Sequence, residues 1–338
     1  MVFKRLLGSL GVGAPKVDTV LEPGAVLPGG DLTGQVHLEG GGADFAIEQI
    51  TLELVARVEI EHDEGESDGV AVFGRFSVGG GFRLGEGERR SVPFSLTLPW
   101  ETPVTQLHGQ DLGIVLGVRT EVAVAGAKDK GDLDPLAVRP LPAQEAVLEA
   151  LGQLGFGFRS ADLEYGHIRG TGQQLPFYQE VELTPAARYT HEVNEIEVTF
   201  LAGPHEMEIV LEADKRGGAF SPGRDVLTRF TVRHDEVAGT DWNARVEGWL
   251  GSLVENRAAY GSQGSYGHGP YGQGGYGHDS GAHHGGHHGD GHRSGPGMGT
   301  VVAAGAAGLA VGVVGGMVAA EVVDEIGDAM EGDEEDEG

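Results

Sequence analysis

Five histidines fall within ten residues: His283, His284, His287, His288 and His292. Imidazole nitrogens ligate zinc, nickel and copper, and a flexible chain can fold several of them around one ion. Glycines surround the tract, so nothing there fixes a coordination geometry or supplies outer hydrogen bonds to orient the rings. Zinc or nickel is therefore expected as an adventitious guest, and no resident cofactor is expected. The second chemical signal is cationic. "EADKRGGAFSPGR" brings Lys215, Arg216 and Arg224 around one loop of an otherwise acidic chain. That loop is a candidate contact for an acidic partner, set against the plainer reading of a solvated hairpin tip. The third signal is steric. Gly308, Gly312 and Gly316 recur every four residues inside the uncharged segment 300–320. On a helix they form a smooth stripe that admits a close helix–helix contact. Self-association ranks first for this segment, membrane contact second and an unstructured tail third.

The chemistry of turnover is not visible. The sequence has no G-x-x-x-x-G-K-[ST] loop for phosphates and no G-x-S-x-G elbow for a serine nucleophile. "GSLGVGAPK" and "GFGFRS" are glycine-rich, but neither follows a strand and opens a helix as a dinucleotide site requires. "HEVNE", His191–Glu195, lacks the second histidine of a zinc-protease helix. "HDEGESDG" and "DKGDLDP" carry carboxylates without the spacing of a calcium loop, and they read as solvated acidic loops. No catalytic residue is assigned, and the chain reads as a non-enzyme.

The net charge of -29 leaves no basic footprint for nucleic acid. With no cysteine among 338 residues, disulfides and thiolate chemistry are excluded, and a cytoplasmic setting fits best. "MVFKRLLGSLGVG" is too short in apolar residues for a secretory signal. As a helix it would place Val2, Phe3, Leu6, Leu7 and Leu10 on one stripe, an arm expected to dock on its own domain.

The elements that would hold any site are mostly strands. "TLELVARVEI" puts Leu52, Leu54, Ala56, Val58 and Ile60 on one face and Glu53, Arg57 and Glu59 on the other. "IVLGVRTEVAV" sets Ile114, Leu116, Val118, Val122 and Val124 against Arg119 and Glu121. Later, Phe177, Val181 and Leu183 alternate with Tyr178, Glu180 and Glu182. Helical spacing over 144–154 follows Pro140 and Pro142 and stops at Gly155 and Gly157. The expectation is an all-β chain with two tandem antiparallel β-sandwiches: 1–140, a linker helix within 141–158, and 159–255. A disordered Gly/His/Tyr-rich segment (256–299), an apolar glycine-striped helix (300–326) and an acidic end (327–338) would follow.

One strand stands out. In "VPFSLTLPWETPVT", Val92, Phe94, Leu96 and Leu98 share a face, yet Pro93 interrupts the strand and Pro99 and Pro103 follow it. Pro93 marks an edge or bulge, and Pro99 ends the pairing. With "DLDPLAVRP", "FKRLLGSLGVGAPKVDTVLEPGAVLPGGDLTGQVHLEGG", "IEQITLELVARVE", "RPLPAQEAVLEALGQLGFGFRSADLE" and "LPFYQEVELTP", this stretch resembles the arrestin family. The match is to its bacterial branch, the stage-zero sporulation-control M proteins, over roughly residues 1–250. The resemblance implies arrestin-like sandwiches, a cytoplasmic protein and a regulatory, scaffold-like role in sporulation or cell division through protein binding. The alternative is a metal-responsive protein using its histidine tract.

Overall fold

The structure, a computed structural model, describes residues 13–62, 65–126, 129–213 and 227–263, with side chains in the last helix to residue 255. Ten strands come first: β1 Lys16–Leu21, β2 Asp31–Glu39, β3 Phe45–His62, β4 Gly65–Gly79, β5 Phe82–Leu84, β6 Arg89–Thr97, β7 Gln106–Leu107, β8 Gln110–Asp111, β9 Leu116–Val124 and β10 Lys130–Pro135. Helix α1, Pro142–Gln153, separates them from β11 Gly157–Tyr165, β12 Phe177–Thr184, β13 Ile196–Ala202, β14 Glu206–Ala213 and β15 Thr228–Arg233. Helix α2, Trp242–Gln263, ends the described chain and runs beyond the boundary expected at 255.

The N-terminal half is two-layered. The sheet β1-β2-β6 lies over β10-β9-β3, to which β4 and β5 also pair. The alternation read from the sequence puts Val36, Leu38, Phe94 and Leu96 of one layer into a single core with Ile50, Leu52, Leu54, Val118 and Val122 of the other. Among the described residues strand β6 pairs only with β2, so Pro93, opposite Gln35, sits on an edge strand, where proline is tolerated.

The C-terminal half departs from the expected second sandwich. Strands β11 to β15 form one antiparallel run, and among the described residues its apolar face is covered by the two helices. Val147, Ala150 and Leu151 of α1 and Val246, Trp249, Leu250 and Leu253 of α2 pack against Val181, Ile196, Val198, Ile209, Leu211 and Val232. The physical reason is that the two helices take the sheet's apolar face, and the opposite face offers no substitute for it. That opposite face carries Asp162, Glu180, Glu182, Glu197 and Glu212, which cannot line a second hydrophobic interior. A second correction concerns the acidic stretches read as loops. Residues 65–69 belong to β4, and Lys130–Pro135 is β10.

Helix α1 starts and stops for local reasons. Pro142 occupies its first turn, and the Leu141 N–H donates to Gln144 Oε1 at 2.8 Å. Gly155 takes φ +96°, which lets the Phe156 N–H reach the Leu151 carbonyl at 3.0 Å and turn the chain into β11. The two halves then join into one sheet, because β11 runs parallel to β3 with Glu164 opposite Glu59.

Candidate functional site

The punctuated stretch after β6 forms the junction between the halves. Once Pro99 ends the strand, the chain is free to cross. The Glu101 carboxylate accepts the backbone N–H groups of Gln174 at 2.7 Å and Leu175 at 2.9 Å. The Gln179 side chain pairs with Val104 as a strand neighbour would: it accepts the Val104 N–H and donates to the Val104 carbonyl, both at 2.8 Å. Trp100 stacks on His234, with ring centroids 5.8 Å apart, and with Leu27 it packs against the C-terminal core. Burial raises the Glu101 carboxyl above its ordinary range, while its two backbone hydrogen bonds pull the other way. A cleft here is lined by Trp100, Glu101, Gln144, Tyr178, Gln179 and Phe200.

The second feature is a carboxylate face. Register aligns Asp162 with Glu180 and Ser160 with Glu182 across β11 and β12. It aligns Glu182 with Glu197, and Glu197 with Glu212, across β12, β13 and β14. Carboxylate oxygens of Asp162, Glu164 and Glu180 lie within 4.8 Å of one another, as do those of Glu180, Glu197 and Glu212. Shared protons or a cation would relieve such crowding. Burial first, and like charges second, push Asp162 up to about 6, Glu164 to about 7 and Glu180 to about 9. The same causes raise the Tyr178 hydroxyl, which stays protonated. One Asp162 oxygen is buried with no hydrogen-bond partner.

In the N-terminal half, Glu53 has no exposed surface and binds Arg75 and Arg119 from the flanking strands. Near the sandwich edge, Asp132 accepts the Thr19 N–H at 2.6 Å and so stitches β1 to β10. Asp134 beside it is pushed up to about 7 by burial and by Asp132 and Asp18.

Several sequence candidates lie outside the described residues. These are Lys215, Arg216 and Arg224, the histidines 283, 284, 287, 288 and 292, Gly308, Gly312 and Gly316, and the apolar stripe of residues 2–10. His191–Glu195 lies in the turn-rich connection before β13, where Glu195 pairs with Arg159. Sequence reasoning missed the junction contacts of Glu101 and Val104 and the acidic row. The signal for the row was present as alternate acidic residues on four strands; no signal placed those strands side by side.

Fold and junction together define a strand-built body of two halves joined through one sheet, and known proteins are built similarly. A family model described as "SpoOM protein" matches residues 3–217, and the chain belongs to that family. The sporulation-control protein spo0M of Bacillus subtilis (strain 168) is 38% identical over 216 residues, covering 63% of this chain and 81% of that one. The crystal structure of Spo0M, a sporulation control protein from Bacillus subtilis, aligns with a TM-score of 0.63 at 32% identity. That alignment covers 73% of this chain and all of the other. Among the described residues, no helix is long and apolar enough to cross a membrane.

Proposed function

We propose that this protein is a non-catalytic adaptor of the arrestin-like, sporulation-control type, working in the cytoplasm by binding other proteins. The observation that carries this reading is the clasp of Pro99–Thr105, which fixes two strand-built halves into one presenting body. Rigid scaffolds lose little entropy on binding, and free sheet edges can accept a partner strand. Some edges are blunted, β6 by Pro93 and β15 by the Arg245 guanidinium on the Thr231 carbonyl. The loop of Lys215, Arg216 and Arg224 is assigned to an acidic partner, and segment 300–320 to self-association or peripheral membrane contact. The histidine tract is a zinc or nickel site in vitro.

The test is complementation of Bacillus subtilis lacking its own sporulation-control relative. The intact chain should restore wild-type spore yield. A Lys215→Glu, Arg216→Glu, Arg224→Glu variant should restore less, and a variant without residues 264–299 should restore as much. Rescue that depends on the histidine tract and on added zinc would favour the metal-responsive reading instead.

A further inference from the structure

The two halves meet along β3 and β11, where one face is apolar, with Leu163, Leu175 and Phe177 in one core with Ala56, Val58 and Phe73, and the other face is built from like charges. Glu59 of β3 faces Glu164 of β11 in the one registered pair that, among the described residues, joins the halves into one sheet. On β3, Glu61 follows and Arg57 precedes it. On β4, Asp68 pairs with Glu59 and Glu66 with Glu61. From β11 itself come Asp162 and Arg159, and from β12 Tyr178, Glu180 and Glu182. Glu195 and Glu197 of the β13 region and Glu212 of β14 share the face, and the Glu208–Arg229 ion pair lies farther along it. Among the described residues, the two guanidiniums nearest the seam are Arg159 and Arg57. Arg159 pairs with Glu195 and Glu182. Arg57 lowers the proton affinity of Glu59, but more weakly than burial and the acids of β4 raise it.

Carboxylates held this close, partly out of water, cannot all be ionised together; some keep protons that the group shares. We propose that the β3–β11 seam is a proton-operated joint: protons shared among Asp162, Glu164 and Glu180 let the two strands lie side by side, and losing them loosens the strand pairing on the acidic face. The contacts of Glu101 and Val104 and the shared apolar core keep the halves together meanwhile. The raised proton affinities of the three carboxyls agree with the geometry and set the range as neutral to alkaline. This joint stands independently of the adaptor reading, since it concerns how the halves are held and not what they bind.

Amide hydrogen exchange of the full chain tests it, at about pH 6 and about pH 9, with the intrinsic base-catalysed rise corrected. Peptides covering 57–62 and 159–165 should lose protection by about tenfold more than peptides from β2 and β6, one pKa unit of coupling being tenfold. The Asp162→Asn, Glu164→Gln, Glu180→Gln variant, which cannot ionise, should show no such excess. Equal loss in seam and control peptides, or the same excess in the variant, would overturn the proposal. If the variant does not fold, carboxyl carbon NMR of the wild-type chain decides: all three groups losing their protons below about pH 5 overturns it. A seam that opens only after a chelator is added also overturns it, since a bound cation and not shared protons would then be holding it.

Discussion

Glu53 shows how a charge is kept inside a sheet. Its carboxylate accepts Arg75 Nε at 2.5 Å and Arg119 Nε at 2.9 Å, and both arginines stand opposite it in register. The guanidiniums roof the carboxylate over, and their own outer edges stay wet, at 49% and 29% exposure. Glu53→Gln should destabilise by roughly 2–3 kcal/mol in urea unfolding, below the ~3–5 of a sealed pair because both arginines can turn to water. Arg75→Met should cost under about 1 kcal/mol, since the more exposed partner contributes like a surface pair. A reversed order of cost would refute this account. The alternation in "TLELVARVEI" correctly set Glu53 apart from Leu52 and Leu54. It could not show that the polar side is roofed, because the partners lie 22 and 66 residues away. Only the pairing of strands brings them together.

Elements carry the junction. Gly29 takes φ +70°, and a Cβ there would meet the Trp100 ring at 2.5 Å. Gly29→Ala should cost roughly 1–2 kcal/mol and push Trp100 off His234, read as a red shift of tryptophan fluorescence. Gln144→Ala, which removes the Oε1 that holds the Leu141 N–H, should cost about 1 kcal/mol in thermal unfolding. The helix itself was legible, because Pro142, the apolar spacing and Gly155 are local signals. So was the edge at Pro93. The destination of "PWETPVT" was not, because Glu101 and Val104 bind residues 73 to 75 positions away. The helical cover of the C-terminal sheet escaped for another reason. An alternating strand reports that one face is buried and does not report whether a sheet or a helix buries it.

At the scale of the molecule, the acidic balance becomes a pH profile. Asp134, Asp162, Glu164 and Glu180 all bind protons more tightly folded than unfolded. Across the interval between each pair of values the native state holds more protons, so stability falls as pH rises. Their contribution is intact below about pH 4, the ordinary carboxyl range, and is lost progressively as pH rises through about 6, 7 and 9. Thermal unfolding midpoints should therefore fall steadily from about pH 5 to pH 9. A flat profile there would contradict the crowding of the carboxylate face, and the Glu180→Gln variant should lose the alkaline part of the slope.

The parallel pairing of β3 with β11 also has a consequence for synthesis. Glu59 leaves the ribosome about a hundred residues before its neighbour Glu164. At the usual elongation rate of about 5–20 residues per second, that flank of β3 waits roughly 5–20 s for its cover. During the wait β4, the next strand made, already occupies the other flank. The acidic residues along the waiting edge repel those of a neighbouring nascent chain. The same charges that crowd the finished seam thus guard the unfinished one against pairing with the wrong molecule.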